Sequence, residues 1–278
     1  MSYTNQREQF NPVSISVLMS VYNGAKTLAK AIDSILVQTY EDFEFIICDD
    51  GSSDATWQIL QQYSKKDQRV ICFQNTENIG LGASLNRCLA RARGTYIARQ
   101  DADDYSEPNR LEKTLRYLES NHLPFAACGV YIVDDAGVWS RRCFPEHINK
   151  HIIAQRNPFF HPTMIFLREI LASVNGYSET KITCRTEDYD LVMRLAANNI
   201  IGQNLQEYLY YVYEPPAAYL RHTAKTRINE VRVRFAGLQC MHAPITDYFY
   251  LIKPIIMALM PRPVIRIIKK AQWDREGK

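Results

Sequence analysis

Tyr96-Ile97-Ala98-Arg99-Gln100-Asp101-Ala102-Asp103-Asp104 opens as a short apolar strand and ends in three carboxylates within four residues. Like charges this close raise one another's pKa unless a cation neutralises them, so the cluster predicts a hard divalent ion held by oxygen ligands. In an extended or tightly turned backbone Asp101 and Asp103 point to the same side, and the D-x-D pair can present two carboxylates to one ion. A solvated acidic turn is the bland alternative, because short motifs also match by chance. A calcium loop of the EF-hand type is another, with Asp101, Asp103 and Glu112 at its first, third and twelfth positions. Tyr105 and Ser106 stand against it, since the fifth position lacks the usual oxygen ligand and the sixth lacks the glycine of the sharp turn.

The same arrangement, an apolar run closed by small and acidic residues, recurs upstream. Ser14 to Val21 reads as a strand stopped by Tyr22-Asn23-Gly24, and Lys26 to Leu36 then has Leu28, Ala31, Ile32, Ile35 and Leu36 at helical spacing. Phe43 to Cys48 is a second strand, ending in Asp49-Asp50-Gly51-Ser52-Ser53-Asp54, whose side chains can cap a helix from Ala55 to about Tyr63. Val70 to Gln74 is a third, followed by Asn78-Ile79-Gly80-Leu81-Gly82 and a helix to Ala92 with Gly94 as its C-cap. Strands alternating with helices imply right-handed βαβ crossovers and a mainly parallel sheet. In such sheets ligands sit beyond the carboxyl ends of the strands, so the four strand-end loops converge on one crevice.

Further along, Phe125 to Val133 and the turn Asp134-Asp135-Ala136-Gly137 before Val138 predict antiparallel additions to the sheet. Thr163 to Leu167 reads as a strand after His161-Pro162. Glu187 opens a helix to about Asn198 with Leu191, Val192, Leu195 and Ala196 inward, and Asp190 with Arg194 makes an i,i+4 pair. Gly80-x-Gly82 resembles a dinucleotide fingerprint, but Leu85 occupies the place of the third glycine.

The chain has 278 residues, 46% hydrophobic and 23% charged, which suits one large globular domain with an appendage. Its seven cysteines lack C-x-x-C spacing and mostly sit in apolar runs. They are expected to be reduced core residues of a cytosolic protein. Met1 to Pro12 has no apolar segment of the secretory kind. The net charge of +3 divides unevenly: from Lys253 onward seven Lys or Arg face two acids, +5, leaving −2 for residues 1–252. No basic stripe with interleaved aromatics marks the body, which argues against nucleic acid as a partner.

Ser16-Val17-Leu18-Met19-Ser20-Val21-Tyr22-Asn23, Ile35-Leu36-Val37-Gln38-Thr39-Tyr40, Asp49-Asp50-Gly51-Ser52-Ser53-Asp54, Asn78-Ile79-Gly80, Ala92-Arg93-Gly94 and Ala98 to Asp104 together closely resemble the family 2 inverting glycosyltransferases of the GT-A fold. The resemblance continues through His161-Pro162-Thr163 and Thr186-Glu187-Asp188-Tyr189-Asp190-Leu191 and covers roughly residues 13–225. It implies an α/β fold with a mainly parallel central sheet flanked by helices, after a tail over residues 1–12 and before a helical extension over 226–278. It also implies a nucleoside diphosphate sugar donor, held by Ser20, Val21, Tyr22, Asn23, Asp50, Asn78, Gly80, Asn86, Asp101 and Ala102. Asp50 would accept from a pyrimidine N–H. A divalent metal, Mn2+ or Mg2+, would sit on Asp101 and Asp103. Of the pair Glu187 and Asp188, Asp188 matches the catalytic base, expected to be ionised near pH 7 and exposed at the pocket rim. His161, Arg221 and His222 would border the acceptor or the diphosphate. Acids in a first helical turn and a lone histidine are often only structural.

Two other functions fit parts of the pattern. A sugar-nucleotide pyrophosphorylase would share the crevice and metal, yet it needs a phosphate loop richer in glycine and basic residues than Tyr22-Asn23-Gly24-Ala25-Lys26. A non-catalytic, membrane-attached binding protein could keep the fold without the base. Tyr248 to Met260 is apolar, but Lys253-Pro254 and Pro261 interrupt it and make it too short for a span of about 20 residues. Wound as a helix, Val264 to Ala271 puts aliphatic residues opposite Arg266, Lys269 and Lys270. That pattern suggests an interfacial helix on an anionic leaflet, or one docked on the domain. The protein is thus expected at the inner face of the cytoplasmic membrane, meeting a lipid-linked saccharide acceptor.

Overall fold

The computed structural model describes residues 13–215, 224–259 and 264. Strands β1 (Ile15–Val21), β2 (Phe43–Asp49), β3 (Val70–Gln74) and β4 (Tyr96–Arg99) pair in parallel in the order β3-β2-β1-β4. Helices α1 (Leu28–Leu36), α2 (Thr56–Lys66) and α3 (Leu81–Leu89) make the crossovers between them. Alternation along β1 sorts the core into two layers: Leu18 packs with Ile46 and Leu85 on one side, and Val17 and Met19 pack with Ile32 and Leu60 on the other. Both faces are covered, so the strands read as nearly continuous apolar runs.

Beyond β4 the sheet becomes mixed. It contains β5 (Tyr105–Ser106), β6 (Phe125–Asp134), β7 (Gly137–Arg142), β8 (Ile165–Leu167) and β9 (Gln203–Tyr213). The order runs β4-β8-β6-β9-β5, with β7 hairpinned onto β6 as the turn residues require. β8 is antiparallel to both β4 and β6, while β9 lies parallel to β6. Helices α4 (Arg110–Ser120), α5 (Lys150–Gln155), α6 (Arg168–Ser173) and α7 (Glu187–Ala197) cover this half. The expected Asp190–Arg194 pair forms at 2.7 Å, and Arg194 also donates to the carbonyls of Val174 and Gly176.

Three local expectations change. The third helix ends at Leu89, with Ala90 as its cap, and Gly94 serves a different need: a Cβ there would lie 2.5 Å from the backbone nitrogen of Ser16. The strand expected from Thr163 begins only at Ile165, because His161–Thr163 forms a 3-10 turn set by Pro162. Among the cysteines, all free, Cys184 and Cys240 are exposed, whereas Cys48, Cys88 and Cys128 are buried as expected.

After β9 come α8 (Ala224–Cys240), a 3-10 turn (Ile245–Leu251) and α9 (Ile252–Leu259). No helix among the described residues is long and apolar enough to cross a membrane. The expected amphipathic segment Val264 to Ala271 lies, apart from Val264, outside the described residues, as do residues 1–12.

Candidate active site

The strand-end loops interlock through their own polar groups. After β1, Asn23 donates its backbone N–H to Ser52 Oγ at 2.9 Å and accepts from the Ser53 N–H at 2.9 Å. The backbone N–H of Gly24 donates to Thr56 Oγ1, and a Cβ on Gly24 would lie 4.0 Å from Ala102 Cβ, which brings the first loop to the acidic turn. Tyr22 is 52% exposed. After β2, Asp50 is buried and accepts from Asn75 Nδ2 at 2.8 Å and from the N–H groups of Ile79 and Gly80 at 2.9 Å each. Three of a carboxylate's roughly four acceptor positions are thereby taken, so Asp50 shapes the Asn78–Gly80 loop first. Asn86, expected at the donor, ties α3 to the chain before α7: its amide donates to Tyr177 O at 2.8 Å and to Glu179 Oε1 at 2.7 Å, and accepts from Tyr177 N–H.

The acidic cluster gathers more tightly than alternation along a strand allows. Residues 102 and 103 form a turn, and one carboxylate oxygen from each of Asp101, Asp103 and Asp104 comes within 4.8 Å of the others. Such a set of oxygens fits a hard divalent cation. Glu112 takes no part, since it pairs with Arg116 and accepts from Thr39, so the calcium-loop reading fails. Asp104 lies in one cluster with the expected pair Asp101 and Asp103. Burial pushes its carboxyl well above the ordinary value, with the charges of Asp101 and Asp103 adding to the effect, while a bond from the Tyr213 N–H opposes it.

Two buried side chains fix this turn. Arg99, 1% exposed, places Nη2 2.5 Å from Asp101 Oδ1 and also donates to the carbonyls of Leu18 and Gln100. Tyr210 on β9 accepts at its hydroxyl from the Asp101 N–H and from Gln100 Nε2, both at 3.1 Å. Arg110 lies against its ring at 5.5 Å.

Across from the turn, α7 supplies Glu187 and Asp188. A Cβ on Gly82 would lie 3.8 Å from Glu187 Cβ, so the start of α3 borders the start of α7. Asp188 accepts from Asn157 Nδ2 at 2.9 Å. Neither carboxyl is exposed at a rim as expected; both are half-buried. Desolvation raises Asp188 against the lowering bonds from the Tyr189 N–H and Asn157. It pushes Glu187 up to about 7, aided by the charge of Asp188. Burial thus outweighs the helix N-terminus here. His161 sits underneath, 8% exposed, with Nε2 2.9 Å from Tyr177 Oη; burial and the Arg99 charge hold its imidazole well below its usual pKa. It is a neutral buried partner of Tyr177. Arg221 and His222 lie outside the described residues.

Sequence reading missed Arg99, Tyr210, Asn157 and Tyr177 as contributors. Arg99 adjoins the motif and Asp104 belongs to it, so both were within reach. Nothing local marks Tyr210, 109 residues away from Asp101.

A sequence model of glycosyl transferase family 2 matches residues 16–174. EpsE of Bacillus subtilis strain 168, which carries a glycosyltransferase name, is 39% identical over 267 residues, 95% of this chain and 96% of its own. WfaP of Escherichia coli, named as a UDP-Glc:alpha-D-GlcNAc-diphosphoundecaprenol beta-1,3-glucosyltransferase, is 28% identical over 244 residues, 87% of this chain and 94% of its own. Among solved structures, S. aureus TarS 1-349 in complex with UDP superimposes with a TM-score of 0.61 at 23% identity, over 82% of this chain and 69% of that one. Mannosyltransferase PcManGT from Pyrobaculum calidifontis, in complex with GDP-Man and Mn2+, gives 0.60 at 15% identity, over 95% and 80%. At these identities the two structures bear on the fold alone. The family match spans more than half of the chain and EpsE aligns with nearly all of it, which sets the pyrophosphorylase reading aside: the chain belongs to glycosyltransferase family 2 and is a glycosyltransferase of the GT-A fold.

Proposed function

We propose that this glycosyltransferase moves a sugar from a UDP- or dTDP-linked donor to a hydroxyl of a saccharide acceptor in one displacement, with inversion. The observation that carries the reading is the set of three carboxylate oxygens within 4.8 Å after β4, with Asp188 of α7 near enough for its carboxyl to feel the charge of Asp101. Exposed Tyr22, the remaining acceptor position of Asp50 and the Asn78–Gly80 loop line the nucleotide end, while Asp101, Ala102 and Asp103 face the diphosphate. Asp101, Asp103 and Asp104 would hold Mn2+ or Mg2+, which when bound supplies Lewis-acid stabilisation of the departing diphosphate. Arg99 keeps the Asp101 carboxylate in one orientation by their ion pair. Asp188 takes the acceptor proton. Its raised pKa makes it a better base than an exposed aspartate, and the bond from Asn157 aims it. Desolvation of the pair strengthens every charge interaction in the crevice.

The acceptor in this reading is lipid-linked and belongs to surface-polysaccharide synthesis. WfaP, whose name specifies a diphosphoundecaprenol-linked acceptor, supports that class, as does the +5 charge from Lys253 onward, suited to an anionic inner leaflet of the cytoplasmic membrane. A panel of UDP-, dTDP- and GDP-sugars with and without Mn2+, read by thermal stabilisation and slow donor hydrolysis, tests the donor half. One nucleotide class should raise the melting temperature only with metal. No response to any donor would overturn the proposal.

A further inference from the structure

The extension after β9 has one side locked onto the catalytic domain and another that is apolar and open. On α8, a Cβ on Gly237 would lie 2.4 Å from Met193 Sδ of α7, Asn229 donates to the Lys181 carbonyl and Arg234 to the Gln155 carbonyl. In the 3-10 turn, Asp247 is 2% exposed and holds His151 Nδ1 at 2.7 Å, while Tyr250 Oη accepts from Gln155 Nε2 at 3.1 Å. The opposite side should then be polar, as on an ordinary surface helix. Instead it presents Phe235 at 45% exposure, Phe249 at 67%, Ile252 at 49% and Ile256 at 51%. Phe235 meets Tyr248 edge to face at 5.8 Å, so the α8 surface and the turn surface join. Among the described residues, the exposed large apolar side chains before residue 224 are only Tyr22, Val37, Val138 and Ile182, scattered along the chain. Single exposed apolar residues need no explanation, whereas a contiguous group marks an interaction surface.

The geometry points to a bilayer containing anionic lipid as the occupant of this face, seated through Phe235, Phe249, Ile252 and Ile256. Charge complementarity selects a bilayer over a protein. Lys253 is exposed on the same helix, and from there to Lys278 seven basic residues face two acids. Apolar side chains at the level of the headgroups, flanked by Lys and Arg, are the composition of an interfacial element. The placement also serves the site. The turn runs alongside α5 from His151 towards Gln155, two residues before Asn157, which holds Asp188. Contact through this face would set the flank of the crevice carrying the base against the membrane, where a lipid-linked hydroxyl arrives. The inference rests on the lipid-linked acceptor proposed above and names the surface that meets it.

The test uses the full-length protein and its Phe249→Glu/Ile252→Glu variant, floated with vesicles of phosphatidylcholine alone or with phosphatidylglycerol. Both substituted side chains are exposed and lie outside the donor crevice, so donor hydrolysis should match the unsubstituted protein. Binding to the phosphatidylglycerol vesicles should fall at least tenfold in the variant. Phe249→Trp should be quenched by brominated acyl chains beyond the quenching of the native tryptophans. Equal flotation of the two proteins, or no flotation of the unsubstituted protein, overturns the inference. So does a dimer in sedimentation that the double substitution dissolves without any vesicle binding, since a second copy is then the occupant. Donor hydrolysis without vesicle binding defeats this inference alone; vesicle binding without any donor response defeats the proposed donor reading instead.

Discussion

Replacing Glu187 with glutamine should make the protein more stable, and by an amount that depends on pH. The Glu187 carboxyl is raised from 4.5 to about 7, chiefly because burial at the start of α7 penalises its charge. A carboxylic acid raised on folding stabilises fully below its unfolded pKa of 4.5, and that contribution is lost as pH rises through about 7. With about 1.4 kcal/mol per pKa unit, ionised Glu187 costs about 3 kcal/mol at pH 8 and only about 1 kcal/mol at pH 5. Glu187→Gln removes the charge and keeps the shape. Its melting temperature should exceed that of the unsubstituted protein by roughly 6–12 °C at pH 8, at roughly 2–4 °C per kcal/mol, with the gap narrowing to roughly 2–4 °C at pH 5. Melts of both proteins across pH 5 to 8.5, without metal or nucleotide, measure the difference directly, because other titrating groups are common to the two. A gap that is independent of pH, or that widens towards pH 5, would refute the assignment of a desolvated carboxyl at this position.

Asp103→Asn should abolish metal-dependent donor stabilisation while the melting temperature holds or rises, since one of three crowded carboxyl groups is made neutral; full metal-dependent binding in this variant would refute the metal site. Asp188→Asn should keep donor binding and lose at least about a hundredfold in turnover, the scale of a general base. A larger loss in Glu187→Gln would move the base to Glu187. Tyr210→Phe leaves the Asp101 N–H without its partner and should cost about 1–3 kcal/mol of stability. It should also weaken Mn2+ binding followed by electron paramagnetic resonance; unchanged Mn2+ affinity would show that the turn needs no support from β9.

The nucleotide-side half of the fold was legible because each of its elements is local. β1 to β4 are mostly apolar runs followed within three residues by Asn or Asp, and Leu28, Ala31, Ile32 and Ile35 carry the helical period in consecutive turns. β9 escaped notice because Gln203 to Tyr213 begins with polar residues and then runs through tyrosines, with neither a clean alternation nor a uniform apolar stretch. Its neighbour β5 has only two residues, Tyr105 and Ser106, too few for any periodicity. Gly94 was misread for a related reason: a glycine near a helix end suggests a cap, and only the approach of β1 shows that it is small because Ser16 passes beside it.

Sequence alone determined the chemistry available: three clustered carboxylates after an apolar strand, a Glu-Asp pair opening a helix, and a basic, apolar end to the chain. Residue type and short-range spacing suffice for that, since charge repulsion, capping and helical period act over a few residues. Tertiary structure decided the state of those groups. It buried Arg99 against Asp101, brought Tyr210 of β9 under the acidic turn, and took enough water from Glu187 and Asp188 to reverse the expectation of exposed, readily ionised acids. Desolvation depends on every atom that surrounds a carboxyl, and those atoms come from strands and helices far apart in the chain.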